Sequence, residues 1–146
     1  MIDIDEAQDV LRGMLASAGT DLASGDLPKI WSVFKDFCRT VDVRTPTDMV
    51  LFEVGIFAFS GPEQFHLHFV RQFAHPEEDE EDEPIQLDCT LLYEPVDELR
   101  RLGEWSRWSV QYPSLDEFFA SVEGRPDIET VARHRPVEVT LFQGQV

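Results

Sequence analysis

The amino-acid sequence predicts an α+β fold: an antiparallel sheet of four to five strands, with an N-terminal helical hairpin and a later helix packed on one face. Three observations lead there. The stretch from Leu51 to Tyr93 reads as three consecutive strands. Two amphipathic stripes at helical spacing precede it. A capping-box sequence, Ser114-Leu115-Asp116-Glu117, opens a further helix after it.

Residues 5 to 18 read as the first helix. Val10, Leu11, Met14, Leu15 and Ala18 recur along one side of a 3.6-residue period. Asp5 followed by Gln8 has the spacing of a capping box, and Gly19 is a natural stop. The second helix runs from about Leu27 to Thr40. Asp26 is its expected cap, and Pro28 suits the first turn, where no amide donor is needed. Ile30, Trp31, Phe34, Phe37, Cys38 and Val41 form its apolar stripe. Residues 20–25 join the two helices into a hairpin, and residues 42–48 connect it to the strands.

The first strand is apolar on both faces, with Val50, Phe52, Val54 and Ile56 against Leu51, Phe57 and Phe59. Such a strand belongs inside its sheet or under cover on both sides. Ser60-Gly61-Pro62-Glu63 is turn chemistry and predicts a hairpin to the next strand. There Phe65, Leu67, Phe69 and Phe73 share one face, and His66, His68, Val70 and Gln72 share the other. Arg71 interrupts the apolar face near the strand end, where its stem is expected to pack and its head to reach water. The third strand alternates Ile85, Leu87, Cys89, Leu91 and Tyr93 with Gln86, Asp88, Thr90, Leu92 and Glu94. Together these predict a meander with one face on a core and the other partly wet.

A short helix is expected from Val96 to Leu102, closed by Gly103. Trp108, Val110 and Tyr112 alternate and predict a fourth strand over Ser106 to Tyr112. Leu115, Phe118, Phe119 and Val122 make the buried stripe of the Ser114 helix, which Gly124 stops. Residues 127–132 suit one or two helical turns. Val137, Val139 and Leu141 alternate in a last strand.

At 146 residues the chain is read as one domain, with an acidic, solvated loop over residues 75–84. No stretch has the ~18 consecutive apolar residues of a membrane span. The opening Met1 to Glu6 is acidic and lacks the basic start and apolar run of a signal peptide, so the cytoplasm is the expected compartment. Cys38 and Cys89 fall on apolar stripes and read as small buried hydrophobes. The net charge of −17 argues against nucleic-acid and anionic-membrane partners and for a basic protein. Homo-oligomer formation is left open, and no cofactor is expected.

Three groups of residues are candidates for function. His66 and His68 point the same way from one strand, with Cα atoms about 6.5–7 Å apart, a spacing that can serve one metal ion. A further ligand would come from Asp88 or Glu53. The run Glu77, Glu78, Asp79, Glu80, Glu81, Asp82 and Glu83 can meet a cation or a basic partner, although it lacks the ligand spacing of a calcium loop. Trp105 and Trp108, with Arg100, Arg101 and Arg107 nearby, carry the residue types that dominate binding hot spots. No nucleophile elbow, phosphate loop, dinucleotide fingerprint or zinc-protease helix is present. The leading reading is a non-catalytic, cytoplasmic protein-interaction module of adaptor, chaperone-like or neutralising type. The alternative is a small-molecule- or metal-binding domain, with catalysis open, using the face that carries His66 and His68.

Overall fold

In the computed structural model the period-two pattern around Phe65 to Phe73 becomes the central strand of one sheet. The structure describes residues 4–19, 25–40, 49–58, 61–73, 85–109 and 114–145. Five strands are β1 (Met49–Phe57), β2 (Gln64–Phe73), β3 (Ile85–Tyr93), β4 (Trp105–Ser109) and β5 (Glu138–Gln145). They lie in the order β4-β1-β2-β3-β5, and every neighbouring pair is antiparallel. The strand that was apolar on both sides, β1, is interior, between β4 and β2.

Among the described residues five helices accompany the sheet: α1 (Ile4–Ser17), α2 (Leu27–Thr40), α3 (Asp97–Arg100), α4 (Leu115–Glu123) and α5 (Pro126–Ala132). Two of the predicted caps form, whereas Asp5 lies inside α1, which starts one residue before it, and so is not the N-cap. Asp26 Oδ1 accepts from the Lys29 amide at 3.2 Å, and Ser114 Oγ accepts from the Glu117 amide at 3.0 Å. Gly103 closes the α3 segment at φ 71°, a left-handed turn that a side chain would strain.

Alternation decides what each strand residue meets. Val50, Phe52, Val54, Phe65, Leu67, Phe69, Leu87, Cys89, Leu91 and Tyr93 face inward and are buried. They share a single core with buried residues of all five helices: Leu11 and Leu15 of α1, Ile30, Trp31, Val33, Phe34, Phe37 and Cys38 of α2, Leu99 of α3, Phe118, Phe119 and Val122 of α4, and Val131 of α5. Each large side chain so buried is worth roughly 1.5–3 kcal/mol of transfer free energy. Trp31 is the hub. Its ring meets Phe52, Phe69 and Phe119 edge-on at 5.3, 5.4 and 5.6 Å, and its Nε1 donates to Glu123 Oε1 at 3.0 Å. This clamps α2 between the sheet and α4. The described helices therefore all serve the inward side.

Arg71 departs from expectation. Its side chain is fully buried rather than reaching water, because it lies on the inward register of β2 under α2. Its guanidinium donates to the Gln72 carbonyl, and its charge acts on Cys38. Both cysteines are free and buried. Burial pushes the Cys38 thiol up to about 12, against the pull of Arg71 and Arg39, and raises Cys89 as well. Neither is a thiolate at neutral pH.

Candidate functional site

The outward side of the sheet is the part that no described helix covers. The ladders arrange its side chains in rows. One row runs Trp108–Leu51–Val70–Asp88 across β4, β1, β2 and β3. The next runs Ser106–Glu53–His68–Thr90–Thr140. A third joins Gly55, His66, Leu92 and Glu138. A Cβ on Gly55 would stand 2.9 Å from Glu104 Cγ and 3.1 Å from the Phe57 ring, so both of those side chains lie over the same side. No outward register position on any of the five strands holds Lys or Arg. The two arginines within the strands, Arg71 and Arg107, both face inward.

His68 is the centre of this face. Its Nε2 lies 2.8 Å from Glu53 Oε1, and its Nδ1 lies 3.6 Å from Asp88 Oδ1. A carboxylate only accepts, so Nε2 carries the proton of the neutral ring. The second nitrogen then turns its lone pair toward Asp88, an arrangement that protonation relieves. Burial of the ring pulls its pKa down, but Asp88 and Glu53 together outweigh this and hold it above the ordinary 6.5. Asp88 is itself fixed by the Thr90 hydroxyl, which donates to Oδ1 at 2.7 Å.

His66, one turn of the pleat away, behaves oppositely. Desolvation, with the nearby charge of His68, lowers its pKa despite Glu53. Its ring meets Phe57 edge-on at 5.5 Å. The register thus places His66 and His68 on one face, with Glu53 and Asp88 both beside His68. Among the described residues no group of three or more His, Cys, Asp or Glu side chains is arranged to hold a metal ion. At His68 both ring nitrogens already face carboxylates.

The two tryptophans part company. Trp105 faces inward, edge-on to Phe52 at 5.7 Å and under the Arg125 guanidinium at 4.4 Å. Trp108 faces outward and is 59% exposed. They do not form one patch, because residues three apart on a strand point to opposite faces. Glu77, Glu78, Asp79, Glu80, Glu81, Asp82 and Glu83 lie outside the described residues, in the connection from β2 to β3. So do Val110 and Tyr112. Just past the end of α5, Arg133 and His134 each bond Glu98 at 3.0 Å, clasping α5 to α3.

A concavity of about 440 Å³ opens at the end of the sheet where the β1–β2 turn meets α3, lined in part by Glu63, Tyr93, Arg100 and Val137. Its cation is already engaged, since Arg100 bonds Glu63 Oε2 at 2.9 Å and the Pro95 carbonyl at 2.8 Å.

No protein-family model, curated protein or solved structure matches the chain. No described helix is long and apolar enough to cross a membrane.

Proposed function

We propose that the chain is a non-catalytic, cytoplasmic interaction module that docks a basic protein partner on the outward face of its sheet. The observation that supports this reading most is the charge pattern of that face. Glu53, Asp88 and Glu138 occupy outward positions, Glu104 leans over Gly55, and no Lys or Arg stands among them. Beside them Leu51 gives a half-buried apolar side chain and Trp108 an exposed ring. Acid, aromatic and apolar groups side by side suit a segment rich in arginine or lysine. The run Glu77 to Glu83 adds seven charges between two strands of this face, and its part is long-range steering. The cysteines, buried and protonated, favour binding over thiol catalysis.

Labelled hexa-arginine tests this by fluorescence anisotropy, with hexa-glutamate as control. Hexa-arginine is expected to bind, and more weakly at about 150 mM than at about 20 mM salt. The combined change Glu53→Gln, Asp88→Asn, Glu138→Gln should weaken binding about tenfold or more, roughly 1.4 kcal/mol. Asp9→Asn, Glu117→Gln, Glu129→Gln removes equal charge from the helices and should leave binding near normal. Equal losses in the two triple variants would reduce the effect to net charge and overturn the reading. A metal held by His66 and His68 is the competing proposal. Stoichiometric metal in chain purified without chelator, lost in His66→Ala, His68→Ala, would establish it instead.

A further inference from the structure

β4 and β5 are the two edges of the sheet, and they differ in how they are guarded. Each pairs with one neighbour, and among the described residues no further strand lies outside either. An edge offers a row of unpaired amides and carbonyls to another strand, and proteins blunt it with shortness, charge, proline or a bulge. β4 has two of these guards: it is five residues long, with Arg107 at its centre. β5 has none of them. It runs eight residues, Glu138–Gln145, without proline, and Glu138 at its start is its only charge. Its register with β3 is unbroken from Leu92–Glu138 to Ile85–Gln145, so no bulge turns it away. Glu138 and Thr140, at the start of the strand, are exposed.

A second copy of the chain supplies the strand that suits this edge. The chain carries 29 acids against 12 Lys and Arg, so two copies repel except where each shows little charge. β5 is such a place. Every neighbouring pair in the sheet is antiparallel, and a two-fold axis through β5 continues that pattern. Opposed residues share a face, so the longest symmetric registers centre on Leu141 or Phe142. Centred on Leu141, the register sets Glu138 opposite Gly144 of the second copy. In either register the two Glu138 residues stand at least six positions apart, about 20 Å along the strands. That is beyond the ~8 Å over which exposed charges act at physiological salt. Pairing β4 with itself over its full length would instead set Arg107 opposite Arg107, like charge against like.

We propose that two copies of the chain pair antiparallel through β5, about a two-fold axis, and so join their five-stranded sheets into one. The two-fold runs through the sheet, so the helices of both copies lie on one side and the two outward faces adjoin on the other. A single strand from each copy is a small contact, so the dimer is weak and forms in the micromolar range. Pairing at β5 leaves the outward face open and does not depend on what docks there.

Sedimentation equilibrium of the full chain, from about 5 to about 500 µM, tests this, with monomer expected at the low end and dimer at the high end. Amide hydrogen exchange then identifies the edge. In a lone β5 alternate amides point away from β3 and exchange fast, whereas in the dimer the whole strand is protected. Those alternate β5 amides should slow about tenfold or more between the two concentrations, with β4 amides unchanged. Thr140→Asp sets a like charge close to its counterpart on the other copy and should weaken the dimer about tenfold. Ser106→Asp adds the same charge on β4 and should leave the dimer near normal, and circular dichroism checks that both variants are folded. Monomer at about 500 µM would overturn the pairing. So would a dimer whose alternate β5 amides stay fast, since another surface then joins the copies. Species that grow past two copies would point to β4 against β5 and overturn it as well.

Discussion

Phe69 and Val70 are neighbours in β2 and end on opposite sides of the sheet, and the two sides differ in kind. On Phe69's side the rings of Trp31, Phe34 and Phe52 converge at 4.6–6.4 Å, and three elements lock together. On Val70's side the neighbours are Leu51 and Asp88, with Glu53, His68 and an exposed Trp108 close by. One side is filled by the chain's own helices. The other keeps polar groups whose mutual pairing is partial and pH-dependent. The difference teaches that burial alone does not separate the two sides, since Val70 is as buried as many core residues. What separates them is whether the described helices supply the packing partners, as they do for Phe69 and not for Val70.

The comparison breaks most plainly on stability. Phe69→Ala should cost about 3–5 kcal/mol in urea denaturation, since its cavity is walled by rings that cannot collapse into it. Trp108→Ala, on the outward edge strand, should stay within about 0.5 kcal/mol of wild type. A Trp108 variant as damaged as the Phe69 variant would show that the outward face is also structural.

A smaller effect belongs to the helix that closes the inward layer. Ser114→Ala removes the acceptor for the Glu117 amide and should cost about 1 kcal/mol, with Ser114→Asp close to neutral. If the Asp variant lost as much as Ala, the cap would not be the reason for the loss.

The finest test is within the outward face itself. His68 has a raised pKa, so its contribution to stability is fully present below about pH 6.5 and fades as pH rises through its folded value. His66 has a lowered pKa, so it costs stability as pH falls below about 6.5. His68→Gln should therefore lose stability relative to wild type chiefly at acid pH. His66→Gln should gain it there. Chemical denaturation across pH 5 to 8 reads both, and parallel curves for the two variants would contradict the opposite placement of the two rings.

Much of this was legible in the sequence where the signal was local. The stripe from Ile30 to Cys38, bounded by Asp26, places α2 at Leu27–Thr40. Strict alternation placed His66 and His68 on one face, and the same parity made Glu53 and Asp88 candidate neighbours. What sequence does not contain is cross-strand register. Only the ladders put Glu53 opposite His68 and Asp88 diagonal to it, so the histidine's two-sided bracing was out of reach. Arg71 was misjudged because a cation at a strand's end usually finds water, whereas here α2 roofs it. Trp105 and Trp108 were grouped by proximity in sequence, although their odd spacing on a strand already separated them. Which face the described helices leave free depends on where they pack, a tertiary choice that no local pattern encodes.

The most direct measurement is amide chemical-shift mapping of the full chain during titration with hexa-arginine. The account predicts that the largest shifts fall on Leu51, Glu53, His68, Asp88 and the Trp108 indole, while Phe34, Phe119 and the other helix residues of the core stay nearly still. Shifts spread evenly over helices and sheet, or concentrated on α1 to α5 with the outward rows silent, would contradict it.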